Sequence, residues 1–278
     1  MVHEGKKDVE MKDTENKNVN AVYIILKIVM LVLIFFFATD AIMQFISYSF
    51  YKGDRRMKDV PYEPEAILIN ESLSGYGYNL DMESDKIILF FGGSMYIAYN
   101  TAGMYGGKFD CPLLSVDYYG TQNSKGRMNL KTMKQSAEEL YDYAVSKYPG
   151  KDIYIFGHSY GCGMAAYLAS VRECRHLVLA SGYRTSADMY NRIIPVFRGP
   201  LTVFIKNNVR ADLYAKNTSC PVTVIGSDAD TTLNAGIQKK LAGCYKDADC
   251  RIFSGIKHED YFTTDEVISF VKENVLGE

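Results

Sequence analysis

The sequence has no charge excess of either sign: 31 Lys and Arg residues stand against 33 Asp and Glu residues, for a net charge of -2. It contains no basic stripe of the kind that binds nucleic acid, and no internal repeat. Its 278 residues are 47% hydrophobic, which excludes an intrinsically disordered chain and favours one sizeable globular domain with an appendage. We therefore expect no nucleic-acid partner.

Sequence motifs for bound cofactors are missing as well. The chain contains neither a Gly-x-x-x-x-Gly-Lys-Ser/Thr phosphate-binding loop nor a His-Glu-x-x-His pair. Its six cysteines form no Cys-x-x-Cys spacing and no cluster with the four histidines, which argues against a metal site. We predict no cofactor and no metal.

The pairing of the cysteines stays open at this point. Cys174, Cys220 and Cys250 each precede a predicted strand, and Cys244 lies six positions before Cys250. A disulfide is one interpretation, and buried free thiols are the other.

One long apolar run lies near the N-terminus. After a polar tail over residues 1–20, residues 21–39 are apolar over about the length needed to cross a bilayer, with Lys27 as their single charge. No clear Ala-x-Ala follows this long run, so we predict an uncleaved transmembrane helix, with a cleaved signal peptide as the alternative. A charged linker follows over residues 40–65. The lysines of the polar tail lie slightly closer to the run than the basic residues after it, which favours a globular domain outside the cytoplasm.

Apolar, strand-like runs alternate with helical patterns over residues 66–278. Such alternation predicts crossover connections, and therefore an α/β fold with a mostly parallel sheet and helices on both faces. The predicted strands are Lys86–Phe91, Pro112–Asp117, Asp152–Phe156, His176–Ser181, Val222–Ile225 and Arg251–Ser254. The predicted helices are Leu130–Tyr148, Tyr160–Val171, Leu233–Cys244 and Thr264–Val275.

The segment Asp152–Ser170 holds an apolar run, a Gly-x-Ser-x-Gly turn and a helical pattern of small residues, in that order. This order is typical of a nucleophile elbow, in which a buried strand turns into a helix within a few residues. Ser159 takes the strained middle position, and a Cβ at Gly157 or Gly161 would collide with a neighbouring element. We predict that Ser159 is a nucleophile and that the Tyr160 N–H faces the developing oxyanion.

A second oxyanion donor is predicted after the strand Lys86–Phe91, where Gly92 and Gly93 precede Ser94. Two glycines at the end of a strand let the chain bend back, so that the main-chain N–H of Ser94 faces the nucleophile. An ordinary glycine-rich turn is the alternative interpretation.

With this Gly-Gly turn, the Asp-Tyr-x-Gly loop at 117–120 and the Gly-His-Ser-Tyr-Gly elbow, the chain resembles the serine hydrolases of the α/β-hydrolase fold. The resemblance runs from about Asp81 to the C-terminus. It is closest to the short-capped esterases, thioesterases and lipase-like hydrolases that often carry an N-terminal membrane helix. It implies a Ser-acid-His triad, and we expect a small cap over about residues 182–218. Many relatives have His where this chain has Gly92.

A serine nucleophile needs a base, and the chain has four histidines to choose from. His3 lies in the polar tail, His158 belongs to the elbow itself, and His176 begins a predicted strand at the wrong end of the sheet. His258 follows the last predicted strand, where the resembling fold places its base. We predict that His258 is the base.

The acid should follow the preceding strand, where Asp228 and Asp230 are the two candidates. In the resembling family a Gly-x-x-Asp turn follows this strand, and Ser227 takes the place of that glycine, which brings Asp230 into register. We predict Asp230 as the acid and Asp228 as a residue that forms the turn.

These residues predict a membrane-anchored serine hydrolase that cleaves an ester or thioester of a small-molecule or lipid acyl substrate. One alternative is a catalytically silent α/β-hydrolase-fold binding protein. Another is an amidase, peptidase or acyltransferase with the same triad, because these reactions share the acyl-enzyme.

Overall fold

The computed structural model describes residues 2–51, 59–93 and 97–278. Residues 52–58 of the predicted linker and the predicted oxyanion residue Ser94 therefore lie outside the described residues. The chain divides into two compact units, one up to Phe45 and one over Ile46–Glu278.

The first element is α1, a helix over Val2–Tyr51. Within it, Asn16–Ser49 is long and apolar enough to cross a membrane, a test that a signal sequence near the N-terminus also passes. The helix extends beyond the predicted span of residues 21–39 at both ends. Lys, Glu and Met in the polar tail are good helix formers, so the backbone hydrogen bonds continue past the apolar run.

The second unit is built on one eight-stranded sheet in the described part of the chain, with strand order β1-β2-β4-β3-β5-β6-β7-β8. From β4 to β8 every neighbouring pair is parallel. This arrangement confirms the predicted α/β fold with a mostly parallel sheet. The strands are β1 (Glu65–Asn70), β2 (Leu73–Tyr78), β3 (Lys86–Phe91), β4 (Leu113–Val116), β5 (Asp152–His158), β6 (His176–Ala180), β7 (Val222–Ser227) and β8 (Asp249–Phe253).

Helices connect the parallel strands. The remaining α-helices are α2 (Ala98–Tyr105), α3 (Leu130–Lys147), α4 (Gly161–Ala169), α5 (Ser186–Ile193), α6 (Ala211–Tyr214), α7 (Ala235–Ala242) and α8 (Asp265–Val271). Short 3-10 turns lie at Gly106–Lys108, Gly199–Phe204 and Ala215–Asn217, and a π-helical turn at Lys272–Leu276 continues α8.

The sheet is buried on both faces, as a parallel sheet requires. In β3, Ile87, Leu89 and Phe91 belong to one core cluster, while Ile88 and Phe90 belong to the other. Because successive strand residues point to opposite faces, each cluster takes alternate side chains of the same strand. The long apolar run of β3 is thus explained by two cores rather than one.

The hairpin β1–β2 was not predicted from the sequence. The two strands pair antiparallel with each other, and β2 pairs antiparallel with β4 at the edge of the sheet. The sequence of β2 is LSGYGY. Because glycine is depleted in strands, the two glycines kept this segment from being predicted as a strand. A Cβ on Gly77 would lie 2.9 Å from the Leu114 side chain, so the close approach of β4 explains a glycine there.

Candidate active site

The predicted nucleophile lies in a sharp turn between β5 and α4. Ser159 has a φ of +51°, in the left-handed region that side chains seldom adopt. A Cβ on Gly157 would lie 2.7 Å from the Cα of Cys162, and one on Gly161 would run into the carbonyl oxygen of Phe91. The chain therefore has the backbone strain and the close contacts predicted for a nucleophile elbow.

His258 lies in the loop between β8 and α8, with its ring between Ser159 and Asp230. Its Nε2 is 2.9 Å from the Oγ of Ser159, and its Nδ1 is 3.0 Å from Oδ2 of Asp230. An ionised carboxylate only accepts hydrogen bonds, so Nδ1 carries the proton in this arrangement. The free lone pair of Nε2 then faces the serine hydroxyl, which is the tautomer that a general base needs.

Asp230 is buried, with 1% of its surface exposed. Its Oδ1 accepts hydrogen bonds from the main-chain N–H groups of Thr232 and Leu233, both at 2.9 Å. Burial raises the pKa of Asp230, but hydrogen bonds from His258, Ser181 and Leu233 outweigh it and lower the pKa to about 2. The carboxylate is therefore ionised at neutral pH.

Two further hydroxyls contact the same carboxylate, and sequence reasoning missed both. Ser181, directly after β6, donates to Oδ2 of Asp230 at 2.5 Å, and its Oγ is also 3.0 Å from Nδ1 of His258. Tyr261 donates to the same Oδ2 at 3.1 Å. Burial and the charge of Asp230 raise the pKa of Tyr261, so its hydroxyl keeps its proton and remains a donor.

Ser181 shares the backbone strain of Ser159. Its φ is +50°, it is fully buried, and its N–H donates to the carbonyl of Ile225 at 2.8 Å. The sequence shows only a serine at the end of a strand, and nothing local in such a serine indicates that it reaches a carboxylate 49 residues away.

His158 also takes part in the site, although the sequence placed it only as a member of the elbow. Its Nε2 lies 2.8 Å from the carbonyl oxygen of His258, which only accepts, so Nε2 carries the proton. Burial and then the neighbouring His258 lower the pKa of His158 to about 4. A neutral, buried imidazole thus holds the backbone of the predicted base.

Asp228 accepts from the Ser254 hydroxyl and the Gly255 N–H, both at 2.8 Å, which is the turn-forming position predicted for it. His176 begins β6 and lies 2.9 Å from the hydroxyl of Thr223, at the opposite end of the strands. Tyr160 precedes the first residue of α4. The oxyanion role of the Tyr160 N–H stays a prediction, as does that of Ser94 outside the described residues.

The segment between β6 and β7 contains α5, α6 and two short 3-10 turns, in the place predicted for a small cap. Within this segment, Met189, Tyr190 and Phe197 are buried. A cavity of about 20 Å³ lies beside Tyr160, Tyr183 and Met189, enough for about one water molecule. The apolar cap residues thus pack against the domain in this structure.

A hydroxyl, an imidazole and a carboxylate lie in one hydrogen-bonded line at the carboxyl ends of parallel strands. On this sheet, with this elbow, they have the arrangement of a Ser-His-Asp triad on the α/β-hydrolase fold. Within the described ranges, no three His, Cys, Asp or Glu side chains are grouped so as to hold a metal ion.

Comparisons with known proteins agree with this fold. The family model described as alpha/beta hydrolase fold matches residues 91–209. The chain is similar to the lysophosphatidylserine lipase ABHD12 of Danio rerio, with 28% identity over 146 residues. That match covers 46% of this chain and 38% of the lipase, so the chain spans well under half of the length of this relative.

Solved esterase structures share the fold. The esterase Pf2001 of Pyrococcus furiosus superposes with a TM-score of 0.57 at 17% identity, over 80% of this chain and 94% of the esterase. Est1E of Butyrivibrio proteoclasticus with bound ferulic acid has a TM-score of 0.60 at 17% identity, over 76% of this chain and 98% of the enzyme. At such identities the likeness establishes the fold alone.

Proposed function

We propose that this chain is a membrane-anchored serine hydrolase that cleaves an ester or thioester through an acyl-enzyme on Ser159. The observation that carries the proposal is the line of contacts from Ser159 through His258 to Asp230, with distances of 2.9 and 3.0 Å. Each contact joins a donor to an acceptor in the direction that general-base catalysis requires.

In the proposed reaction, the Oγ of Ser159 attacks the acyl carbonyl while Nε2 of His258 takes the hydroxyl proton. The ionised Asp230 stabilises the imidazolium that forms. The main-chain N–H groups of Tyr160 and Ser94 are proposed to bind the oxyanion. His258 then returns its proton to the leaving alcohol or thiol, and a water molecule activated by His258 releases the acid from Ser159.

For the substrate, we propose an ester-linked lipid. The relative in Danio rerio is a lipase of a lysophospholipid, and the chain described here carries a candidate membrane span at Asn16–Ser49. An anchored domain meets a membrane lipid without extracting it into bulk water, where its acyl chain is costly to expose. The buried apolar side chains of the cap segment are candidates for the acyl-binding surface.

The side of the membrane is also proposed from the sequence alone. The basic residues of the polar tail favour a domain outside the cytoplasm. A tag at the N-terminus of the full chain tests anchoring against signal cleavage: the tag should stay with the domain and resist alkaline extraction from membranes. Loss of the tag from the mature protein would favour a cleaved signal. Protease treatment of intact cells should degrade the domain if it lies outside.

The activity is tested with a fluorophosphonate probe on the full chain in detergent, followed by peptide mass spectrometry. We expect the label on Ser159, none on the Ser159→Ala variant, and a fall of roughly 10⁴-fold or more in turnover of a p-nitrophenyl ester. Ser181 is the matched internal control, because its hydroxyl lies against the other nitrogen of the same imidazole. A label on Ser181, or equal ester hydrolysis by wild type and Ser159→Ala, would contradict the proposal and favour a binding protein.

A further inference from the structure

Two thiols meet at the end of the sheet opposite the candidate active site. The Sγ of Cys174 lies 2.8 Å from the Sγ of Cys220, and both cysteines are present as free thiols. Cys174 precedes β6 and Cys220 precedes β7, which are parallel neighbours with Leu177 paired to Val222. The pair is therefore held together by the register of two neighbouring parallel strands.

We propose that Cys174 and Cys220 form a disulfide under oxidising conditions. This bond would covalently link the amino ends of β6 and β7. The Leu177 N–H already donates to the carbonyl of Pro221 at 3.0 Å, so the two backbones are fixed beside the thiols. Little chain entropy remains to be lost when the bond forms, because folding has already brought both sulfur atoms into contact.

The pair is chemically suited to thiol–disulfide exchange. Both side chains are partly exposed, which leaves a route for an oxidant. The hydrogen bond from the Cys174 thiol lowers the pKa of Cys220, so Cys220 is the thiol that forms the thiolate more readily. The same hydrogen bond and then burial raise the pKa of Cys174, so Cys220 is the first nucleophile. Cys111 and Cys162 are buried, and burial raises the pKa of each, so neither has the exposure of the pair.

The exchange balances with a disulfide such as oxidised glutathione as the oxidant. The Cys220 thiolate attacks one glutathione sulfur and releases one glutathione thiolate. Cys174 loses its proton to solvent and attacks the Cys220 sulfur of the mixed disulfide, which releases the second glutathione. Two protein thiols are oxidised and one glutathione disulfide is reduced to two thiols.

The crosslink would close a loop that contains β6, Ser181 and the whole cap segment. Closing a long loop restricts the unfolded chain more than the folded one, so the expected effect is on stability. The sulfur atoms lie at the amino ends of the strands, whereas Ser159 and Asp230 follow carboxyl ends. Oxidation is therefore expected to act without touching the hydrogen bonds of the candidate triad.

The six-residue spacing of Cys244 and Cys250 also leaves open a disulfide between these two cysteines. In the structure, Cys244 lies just past the end of α7, and its thiol donates to the carbonyl of Lys240 in that helix at 3.4 Å. Cys250 lies in β8. These two cysteines therefore serve as matched controls for the proposed pair.

The test equilibrates the folded full chain in detergent with oxidised and reduced glutathione, quenches in acid, and alkylates the remaining thiols after denaturation. We expect four of the six cysteines to be alkylated and a tryptic peptide pair joined through Cys174 and Cys220. The melting temperature of the oxidised wild type should exceed that of the reduced wild type by roughly 5 °C or more. Because both redox states are measured on the wild type, this result does not depend on whether a variant folds.

Cysteine-to-serine variants then identify which residues form the crosslink. Cys174→Ser and Cys220→Ser should each lose the crosslink and the redox-dependent melting shift, while Cys244→Ser and Cys250→Ser should keep both. Six alkylated thiols in folded, oxidised wild type, or a crosslink through Cys244 or Cys250, would overturn the proposal. These readouts are independent of ester hydrolysis, so their failure leaves the proposed activity untouched.

Discussion

The two ends of the parallel strands differ in how their polar groups are held. At the carboxyl ends, Ser159 and Ser181 have positive φ angles and Asp230 is buried among several donors. At the amino ends, Arg175 and Asp152 form an exposed ion pair at 3.7 Å. Strain and burial are thus concentrated where chemistry is expected, since a preorganised site keeps its charges out of water.

The comparison predicts that substitutions at the carboxyl ends affect turnover far more than those at the amino ends. It also separates residues that contact the reacting atoms from residues that act by positioning other side chains.

Substitution of the predicted acid, Asp230, should cause the largest loss of turnover relative to its control. Asp230→Asn replaces the charged acceptor of His258 with a neutral amide. The imidazolium then loses the negative charge that stabilises it, and the neutral imidazole is no longer held in the tautomer with its proton on Nδ1. We expect turnover of a p-nitrophenyl ester to fall roughly 10³-fold or more, or about 4 kcal/mol of barrier. Asp228→Asn is the matched control and should stay within about threefold of wild type. A larger loss at Asp228 than at Asp230 would reverse the assignment of the acid.

The buried His158 should make stability depend on pH. Its pKa is about 4 in the folded state and 6.5 in the reference state, so its contribution is complete above pH 6.5 and is lost as the pH falls towards 4. The expected loss is about 3 kcal/mol. Asp230 titrates lower, and its contribution is lost only as the pH falls from its ordinary range to about 2.

Urea unfolding of wild type and His158→Gln at pH 7 and pH 4.5 measures this effect. The glutamine keeps an N–H that can donate to the carbonyl of His258 but has no proton to gain. The variant should lose less stability than wild type between the two pH values. Equal losses in both proteins would show that His158 is not the group responsible. His176 is common to both, so its own titration cancels.

Ser181 should have a smaller effect on turnover. Ser181→Ala removes one donor from Asp230, and the carboxylate keeps its other donors, so we expect turnover to fall about tenfold, or about 1.4 kcal/mol, with little change in KM. Ser181→Gly removes the same hydroxyl but relieves the positive φ. The glycine variant should be the more stable of the two and equally slow. Recovery of turnover in the glycine variant would mean that strain, and not the hydroxyl, matters.

The amino ends should show the smallest effect. Arg175→Ala breaks the ion pair with Asp152, whose side chains are 67% and 57% exposed. Exposed pairs contribute little, so the unfolding free energy should change by less than about 0.5 kcal/mol and ester hydrolysis should not change. A loss of turnover here would contradict the division between the two ends.

Much of the fold was predictable because local sequence patterns indicate its strands and helices. Alternating strand and helix signals predicted the parallel sheet, and their bounds agree with β3 to β7 within a few residues. The edge hairpin was not predictable, because Gly75 and Gly77 are selected by the closeness of β4 and not by strand propensity. The helix α2 was also missed, and its residues AYNTAGMY carry only a weak helical pattern.

The sequence by itself determined the elbow and the order of strands β3 to β8 along the chain, and it predicted His258 as the base, because each depends on spacing within a short segment or on elimination. Only the tertiary structure decided that Ser181, Tyr261 and His158 surround the Asp230–His258 pair and that two thiols meet below β6 and β7. Those contacts join residues far apart in the chain. The register of parallel strands brings them together, and no local pattern encodes that register.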